Sequence, residues 1–511
     1  MAIAQDTTSI VRTAQGSVRG IVTGGVHVFR GIAYAAAPFG PDHLQAPKPV
    51  EPWTGVRDAL VDGAKPPQPP FPGTENARAP WDRAPVGEDC LNLNIWTPDP
   101  GAARLPVMVW ITGGAFRAGS NAWYDGSRFA RDGVVCVAIN YRSGPEGFLY
   151  LRDATPNRGL LDQIAALEWV RENIAGFGGD PGDVTVCGES AGAMCIGMLL
   201  AMPRARGLFR RAILQSGAAH FAIPLDTARR IGGYFAEKLD VAPTLDAIGA
   251  LPFERLIDAH RALDADVAAH PDPERWGMSM AGAMLMQPVI DGELLPASPL
   301  ERIRAGAAGD VDVLIGTNRD DWRLFLAFTG ELGAITDEML TGPLTRYGPL
   351  SLAAYGLPVD RLLATYRAAD PSATPGVLLS AVQTDWWCRI PAIRLADARV
   401  NAASRTFMYE FAWPSPVANG LFGAHHALEI PFVFDTLDLG PGQMLGDMLG
   451  PNPPRALASA MHRSWVSFIT SGDAGWPEYE LARRATMRFT IEPVVVDDPR
   501  RWERELWEGV R

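Results

Sequence analysis

The sequence predicts an α/β protein in which a mostly parallel central sheet is flanked by helices. Three short apolar runs, at 91–96, 107–111 and 134–139, are bounded by Gly or Pro, which is typical of strands buried on both faces. Apolar residues then recur at helical spacing from 159 to 174, and a further apolar run begins at 184. Because strand, helix and strand alternate, we expect parallel strands joined by crossover helices.

Antiparallel strands are predicted at the start of this sheet. The segments 16–22 and 26–32 alternate between apolar and polar residues, with glycine turns between them. The proline-rich stretch that follows, 66–85, has the composition of a linker but lies too early in the chain to separate two domains. We expect it to form a long surface loop that borders a site.

The rest of the chain contains further strands and two long helical blocks. Strands are predicted at 211–215, 311–316 and 406–411, each followed by a loop rich in Gly, Asp or Pro. The blocks at about 226–268 and 336–398 are rich in Ala, Leu and Arg and are helical by pattern. No repeat or linker divides the chain, so we predict one domain over residues 1–511 with these two blocks as helical cap insertions.

The composition disfavours several classes of function. With 511 residues, 47% of them hydrophobic, the chain can bury a large core. Its formal net charge of -12 and the lack of a Lys/Arg-rich block disfavour nucleic acid or an anionic membrane surface as a partner. The first residues lack a signal-peptide pattern, and no apolar stretch has the length that spans a membrane.

Cysteine usage favours a reducing compartment. The five cysteines are odd in number and include no Cys-x-x-Cys pair, and no Asn-x-Ser/Thr glycosylation sequence occurs. We therefore expect reduced core cysteines and a cytoplasmic protein.

A candidate nucleophile lies between the apolar run at 184–187 and an apolar helical segment at 193–200. The pentapeptide between them, GESAG at 188–192, has the Gly-x-Ser-x-Gly pattern of a nucleophile elbow with Ser190 at its centre. Glycines have no Cβ, so the chain can turn sharply there and hold the serine in strained backbone geometry with its Oγ exposed. The pattern by itself also fits a glycine-lined turn that packs a helix on a strand.

A serine nucleophile needs a neutral histidine to take its proton and an acid to orient that histidine. After a nucleophile elbow the acid comes first along the chain and the histidine second, which leaves three of the eight histidines: His425, His426 and His462. His462 lies in a helical pattern, which favours a structural role. The other two lie in a loop after the strand predicted at 406–411.

Candidate acids follow the strand predicted at 311–316. Asp320 and Asp321 stand at its carboxyl end, where α/β sheets carry their sites. A solvated turn or a helix N-cap would explain these residues equally well.

Two further groups of residues have a place in such a site. The segment WITGGAF at 110–116 follows an early strand and offers backbone N–H groups to an oxyanion, although a plain glycine turn is the alternative. Aromatic residues near these motifs are candidates for a substrate pocket, and ordinary core packing explains each of them as well. They are Phe116, Trp322, Phe325, Trp386 and Trp387.

An ordered set of motifs resembles the carboxylesterase type B family, the cholinesterase-like branch of the α/β-hydrolases, including bacterial members of the para-nitrobenzyl-esterase type. The resemblance spans most of the chain. The motifs are GEDCLNLNIW (87–96), VWITGGAF (109–116), NYRSGPEGFL (140–149), the stretch from NRGLLDQ to GESAGA (157–193), GTNRDDWRLF (316–325), HHALEIPFVF (425–434) and WPEYELARRATMRF (476–489). The resemblance implies the α/β-hydrolase fold.

The resemblance also assigns roles to individual residues. It implies that Ser190 is the nucleophile, Asp321 the acid and His426 the base. It implies an oxyanion hole formed by backbone N–H groups, and the donors are those of Gly114, Ala115 and Ala191. His425 is the second candidate for the base, and Asp320 the second candidate for the acid.

Three positions depart from the family pattern. Most members carry Glu where this chain has Asp321, which is one methylene shorter, so the acid must approach His426 more closely. Thr112 stands where many relatives have His or Tyr. Cys90 has no upstream cysteine to pair with, unlike secreted animal relatives, which supports the reduced compartment.

The function that the resemblance implies is hydrolysis of a small hydrophobic carboxylic ester by a serine enzyme, through an acyl-enzyme and without a metal or cofactor. A carbamate or aryl-amide hydrolase with the same triad is the alternative, and a non-catalytic cholinesterase-like binding protein a remote one. The expected partner is therefore a small-molecule ester, carbamate or amide, with no nucleic acid and no membrane.

Overall fold

A computed structural model of the protein describes residues 7–69, 82–277, 284–438 and 446–510. In these ranges thirteen strands form one sheet and two more form a short parallel pair. The strands are β1 (Thr7–Arg12), β2 (Ser17–Thr23), β3 (Val26–Ala33), β4 (Val56–Asp58), β5 (Asn92–Thr97), β6 (Leu105–Ile111), β7 (Val135–Ile139), β8 (Gly179–Glu189), β9 (Arg211–Gln215), β10 (Ile223–Pro224), β11 (Val289–Ile290), β12 (Asp312–Asn318), β13 (Thr406–Phe411), β14 (Ala485–Phe489) and β15 (Val494–Asp497).

Helices follow or separate most of these strands. They are α1 (Ser127–Arg131), α2 (Gly144–Phe148), α3 (Arg158–Asn173), α4 (Ala191–Ala201), α5 (Leu225–Leu239), α6 (Leu245–Gly249), α7 (Phe253–Ala269), α8 (Pro273–Trp276), α9 (Pro299–Arg304), α10 (Arg323–Phe328), α11 (Glu331–Ala334), α12 (Asp337–Thr341), α13 (Leu344–Tyr347), α14 (Val359–Ala369), α15 (Pro375–Thr384), α16 (Ile390–Ala398), α17 (Ile430–Val433), α18 (Arg455–Ser471) and α19 (Arg501–Leu506). A single π-helical turn, Asp385–Arg389, joins α15 to α16.

The centre of the large sheet is parallel and its two ends are antiparallel. The strands run in the order β1-β2-β3-β5-β7-β6-β8-β9-β12-β13-β14-β15, with β4 beside β2. From β7 to β14 each neighbouring pair is parallel, whereas the pairs at either end are antiparallel except for β2 with β4. The carboxyl ends of the central strands therefore meet at one edge of the sheet.

Both faces of the sheet are covered, because the side chains of each strand alternate between two apolar clusters. Along β6, Val107, Val109 and Ile111 belong to one cluster, and Met108 and Trp110 to the other. The first cluster also contains side chains of α3, α4, α5, α7, α14, α15 and α16, and the second those of α1, α17 and α18. A parallel sheet needs this double cover, which explains why its strands are apolar throughout.

The predicted mostly parallel sheet with flanking helices is confirmed, and so are its antiparallel start and the strands at 211–215 and 406–411. The elbow strand is longer than predicted: β8 begins at Gly179, and α4 begins at Ala191, directly after the candidate nucleophile. The helices α5 to α7 and α12 to α16 occupy the two blocks predicted as insertions. The division into a single domain with a cap stays a prediction.

Two other expectations concern the surface. Of the proline-rich stretch at 66–85, residues 70–81 lie outside the described ranges. In the part of the chain that the structure describes, no helix combines the length and the apolar character needed to cross a membrane.

Candidate active site

Ser190 occupies the sharp turn between β8 and α4. Its backbone has φ 58° and ψ −126°, a conformation that costs free energy for a residue with a side chain. The Ser190 N–H donates to the carbonyl of Gln215 on β9 at 2.8 Å, and this bond holds the strained residue in place. The side chain is 5% exposed. The local geometry is that of a nucleophile elbow.

The glycines on either side of Ser190 are required by close packing. A Cβ on Gly188 would lie 2.8 Å from the carbonyl carbon of Gly192, and a Cβ on Gly192 would overlap the carbonyl oxygen of Ile111. The elbow therefore turns tightly against the end of β6, because only a residue without a side chain fits at either position.

Residues 112–119 contain the predicted oxyanion donors Gly114 and Ala115 and are called the oxyanion loop for that prediction; they pack directly on the elbow. A Cβ on Gly113 would lie 3.1 Å from the Cβ of Ser190. The backbone has positive φ at three consecutive residues: 123° at Gly114, 56° at Ala115 and 56° at Phe116. Among the described residues, no acceptor bonds to the N–H groups of Gly114, Ala115 or Ala191. The three predicted donors thus have no protein acceptor in the described ranges, and the loop that carries two of them lies against the elbow.

Several polar contacts hold the oxyanion loop. The Gly119 N–H donates to Gln68 Oε1 at 2.6 Å, and the Tyr141 hydroxyl donates to the carbonyl of Thr112 at 2.8 Å. Arg117 forms an ion pair of 2.7 Å with Asp264 on α7, a helix of the first insertion. Three regions therefore hold the loop in its conformation: the proline-rich segment through Gln68, the end of β7 through Tyr141, and helix α7 through Asp264.

The structure brings Asp321 and His426 into direct contact. The Nδ1 atom of His426 lies 2.8 Å from Asp321 Oδ1, and the His426 backbone N–H donates to the Asp321 carbonyl at 3.1 Å. Asp321 is fully buried at the carboxyl end of β12, and His426 is 6% exposed. A single methylene is therefore sufficient for the acid to reach this histidine.

The second candidates lie elsewhere. The Asp320 carboxylate forms a 2.8 Å ion pair with Arg323 and accepts from the backbone N–H of Ala424. His425 places Nδ1 against the carbonyl of His426 at 2.8 Å, and burial lowers its pKa to about 4. His462, on α18, bonds the carbonyl of Val433 and pairs with Asp132.

The remaining oxygen of Asp321 accepts three hydrogen bonds. The donors to Oδ2 are the Ser216 hydroxyl at 3.0 Å, the Asn318 backbone N–H at 2.9 Å and the Cys388 thiol at 3.0 Å. Sequence reasoning did not predict Ser216 or Cys388 at the site, because they lie on elements distant along the chain from Asp321. A carboxylate with this many donors is held in one orientation.

Two buried glutamates also lie at the site, and sequence reasoning missed both. Glu189 Oε1 lies 3.0 Å from Nε2 of His426, on the side opposite Asp321. Glu429 accepts from Gln215 at 3.0 Å and from the Asn318 side chain at 2.5 Å. Both glutamates could have been noticed in the sequence, because each is a charged residue inside a motif, GESAG or HHALE, and its direct neighbours along the chain are small or apolar.

The carboxylates change the proton affinity of the site. Burial by itself lowers the pKa of His426, but the charge of Glu189 and the hydrogen bond and charge of Asp321 raise it to about 9. Burial raises the pKa of Glu189 to about 8, although the charge of His426 opposes this. Burial likewise raises the pKa of Glu429. Because Glu189 and His426 interact strongly, they titrate as a pair.

Two of the five candidate pocket aromatics contact the imidazole, and a third packs on those two. The ring centroid of Trp387 lies 5.1 Å from that of His426, and the ring of Phe325 lies 5.2 Å from it. Trp322 packs against both of these residues. Trp386 instead contacts Phe221 and Tyr355.

Phe116 does not lie in this aromatic group. Its ring has no exposed surface and packs edge-on against Phe148, with the centroids 5.1 Å apart. The structure therefore places Phe116 in the core beneath the oxyanion loop rather than on a pocket wall. The sequence did not reveal this because the positive φ of the loop redirects the side chain.

Comparison with known proteins identifies the family of the chain. The model of the carboxylesterase family matches residues 7–507. The chain is 37% identical over 517 residues to the para-nitrobenzyl esterase of Bacillus subtilis (strain 168), with 98% of each sequence covered. It is 34% identical over 475 residues to the phenmedipham hydrolase of Pseudarthrobacter oxydans, with 91% of each covered. The crystal structure of the Geobacillus stearothermophilus carboxylesterase EST55 has a TM-score of 0.82 and 35% identity, covering 98% of this chain and 100% of that one.

Fold and matches together define an enzyme of the α/β-hydrolase fold that hydrolyses esters. The chain belongs to the carboxylesterase family. The resemblance inferred from the sequence motifs is therefore confirmed.

Proposed function

We propose that the protein is a serine carboxylesterase in which Ser190 is the nucleophile, His426 the general base and Asp321 the acid that orients the base. The observation that carries this proposal is the 2.8 Å hydrogen bond between Asp321 and His426, at the same sheet edge as the strained elbow serine. This arrangement supports nucleophilic catalysis because a buried carboxylate fixes the imidazole with Nε2 turned towards the elbow.

The first half of the reaction forms an acyl-enzyme. His426 Nε2 removes the proton from Ser190 Oγ as that oxygen attacks the carbonyl carbon of the ester. The tetrahedral intermediate then expels the alcohol oxygen, which takes the same proton from His426. In the second half His426 removes a proton from water, the hydroxide attacks the acyl carbon, and Ser190 leaves with the proton.

The position of His426 is consistent with this cycle. Nε2 lies 3.0 Å from Glu189 Oε1, and Ser190 is the next residue along the chain. In the described structure Nε2 makes no hydrogen bond to Ser190 Oγ, and such contacts commonly tighten only when substrate binds. In the proposed cycle, Nε2 forms this hydrogen bond to Ser190 Oγ when substrate is bound.

We propose the N–H groups of Gly114, Ala115 and Ala191 as the oxyanion hole. The packing of Gly113 on the elbow sets the loop beside Ser190, and among the described residues no acceptor bonds to the N–H groups of Gly114, Ala115 or Ala191. These donors suit the negative charge that develops on the carbonyl oxygen, because they are fixed before the reaction begins.

The aromatic group around His426 supports a hydrophobic small-molecule substrate. Trp322, Phe325 and Trp387 form a wall on one side of the imidazole, where the leaving alcohol is protonated. We propose a small hydrophobic ester as the substrate and, as a second candidate, a carbamate or aryl amide. The similarity to an enzyme named for hydrolysis of the carbamate phenmedipham supports the second candidate.

We also propose a cytoplasmic location. All five cysteines are buried and none forms a disulfide, which suits a compartment where thiols remain reduced.

The serine mechanism is tested with Ser190→Ala. We expect turnover of p-nitrophenyl esters to fall by roughly 10⁴- to 10⁶-fold, because no other group supplies the nucleophile. Labelling by a fluorophosphonate probe should be lost as well. Ser143→Ala is a matched control, because Ser143 is a buried serine whose hydroxyl has no hydrogen-bond partner in the described structure. Full ester turnover by folded Ser190→Ala protein would contradict the mechanism.

Screening esters of increasing chain length, carbamates and anilides then separates the two substrate candidates.

A further inference from the structure

The π-helical turn at Asp385–Arg389 contacts both the proposed acid and the proposed base. Its backbone is identified by the bond from the Ile390 N–H to the carbonyl of Asp385, five residues earlier. A π turn holds one residue more than an α turn, and such turns are frequent at functional sites. In this turn, two consecutive residues contact different groups of the site. Trp387 packs on the His426 ring, and the Cys388 thiol lies 3.0 Å from Asp321 Oδ2.

The turn is anchored by contacts on its other side. The fully buried Asp385 carboxylate accepts from Arg389 Nε at 2.5 Å and Nη2 at 2.6 Å, and from the Tyr366 hydroxyl at 2.6 Å. Arg500 lies 3.7 Å from the same carboxylate. These buried charged groups fix the turn without any contribution from Asp321 or His426, so the position of Cys388 is set independently of the site.

The chemistry of the contact makes Cys388 the donor. A thiol has one proton, and a charged carboxylate has none to give, so the thiol must donate when sulfur and oxygen approach to 3.0 Å. The alternative acceptor, the Thr384 carbonyl, is more distant at 3.3 Å. Burial, together with the nearby charges of Asp321 and Asp385, holds the pKa of Cys388 well above its usual value, so the thiol keeps its proton.

We propose that Cys388 is a positioning residue for the esterase reaction: its thiol, together with the Ser216 hydroxyl and the Asn318 N–H, fixes Oδ2 of Asp321 so that Oδ1 faces His426. Cys388 acts through Asp321 and does not touch the substrate. The inference rests on the proposed function, because it assigns Cys388 a role only if Asp321 orients the catalytic base. Removing the thiol leaves Oδ2 with two donors, so the carboxylate becomes less constrained and less neutralised.

Three substitutions test the thiol. Cys388→Ser keeps a donor, Cys388→Val keeps apolar volume without a donor, and Cys388→Ala removes both. In Cys388→Ala and Cys388→Val we expect kcat for a p-nitrophenyl ester to fall by roughly tenfold with little change in KM, because one hydrogen bond to a charged group is lost. We also expect the acid limb of the kcat/KM profile to move to higher pH, since a less neutralised Asp321 favours the protonated form of His426. Cys388→Ser should restore both towards the wild-type values.

The outcomes separate this role from simple packing. Cys136→Ala is the matched control: Cys136 is also buried, on β7, and belongs to the second apolar cluster. It should lose stability as Cys388→Ala does while keeping the wild-type pH profile. Wild-type kcat and pH profile in both Cys388→Ala and Cys388→Val would overturn the inference, and so would failure of Cys388→Ser to restore them. If Ser190→Ala kept its activity, the proposed function would fail instead, whatever the Cys388 variants showed.

Discussion

The two sides of His426 are built in different ways. On the acid side, the carboxylate of Asp321 is surrounded by donors: the imidazole, Ser216, the Asn318 backbone and Cys388. On the nucleophile side, which comprises Glu189, Ser190 and the oxyanion loop, the geometry comes from the backbone, through positive φ values and glycines in close contact. Within the described ranges, the contact of the Glu189 carboxylate on that side is with His426, at 3.0 Å.

This difference assigns unlike behaviour to two carboxylates that flank one ring. The Asp321 carboxylate takes part in four hydrogen bonds, which fix its orientation and that of the imidazole bonded to it. Among the described residues, no hydrogen bond to the Glu189 carboxylate offsets its burial, and burial raises its pKa to about 8. The acid side is therefore defined by hydrogen bonds that fix an orientation, and the nucleophile side holds a charge that titrates.

Among the substitutions that test this comparison, the largest effect is expected at Asp321. Asp321→Asn keeps the size of the side chain but removes the charge that selects the tautomer of His426 with Nε2 facing the elbow. We expect kcat to fall by roughly 10³- to 10⁴-fold. Steady-state kinetics on a p-nitrophenyl ester provides the measurement.

The neighbouring aspartate supplies the control for that measurement. Asp320→Asn disrupts the ion pair with Arg323 at the same turn without touching His426, so we expect turnover within about threefold of the wild type. If Asp320→Asn were as damaging as Asp321→Asn, the acid role would be shared between the two residues, and the assignment made from the structure would be wrong.

A smaller effect is expected from Glu189→Gln, which removes the titrating charge. The charge of Glu189 is the largest of the contributions that raise the pKa of His426 to about 9. The base works only when neutral, so activity of the wild type should rise as pH increases through this range. In Glu189→Gln the pKa of His426 falls, and the acid limb of the kcat/KM profile moves to lower pH. An unchanged limb would show that Glu189 is not charged when His426 titrates.

The same substitution has a stability signature. The ordinary pKa values of Glu and His are 4.5 and 6.5, and both groups titrate higher when folded, at about 8 and about 9. The folded protein therefore binds more protons than the unfolded chain, and the stability from this pair is present at low pH and lost as pH rises through about 9. Glu189→Gln should flatten this decline, as denaturant unfolding at pH 6 and pH 9 would show.

The sequence predicts the strands at the centre of the sheet and the antiparallel pair β2–β3, but it does not predict the outermost strands. The central strands are apolar on both faces, a pattern that identifies them without tertiary information. The strands β1, β4, β14 and β15 lie towards the ends of the sheet, where exposed positions interrupt the apolar pattern, as in β4 and in β15. Their pairing is decided by neighbouring strands, which a single-sequence pattern does not contain.

In the candidate site, too, some residues could be predicted from the sequence and others could not. Motif positions predicted Ser190, Asp321 and His426, and the structure places the last two in contact. The side chains that support them were not predictable, because Cys388 and Ser216 reach Asp321 from elements 67 and 105 residues away along the chain. Such contacts depend on a local irregularity, the π turn, and on the crossover order of β9 and β12.

The smallest expected effect concerns the ion pair between the oxyanion loop and helix α7. Arg117 lies in that loop, and its 2.7 Å ion pair with Asp264 joins the nucleophile side to helix α7. Burial raises the pKa of Asp264 to about 6 despite the opposing charge of Arg117, so the pair is ionic above that pH and is lost below it. Asp264→Asn should therefore lower kcat/KM by about two- to fivefold at pH 8 and by less at pH 5, since partly exposed pairs contribute about 1 kcal/mol or less.

A double-mutant cycle with Arg117→Met completes that prediction. If the ion pair is what holds the loop, the second substitution adds little to the first, because each removes the same interaction. Additive losses would mean that the two side chains act separately. In that case Asp264 would act on the site by a route other than this ion pair, and the loop would be held by its own backbone geometry and by the Gln68 and Tyr141 contacts.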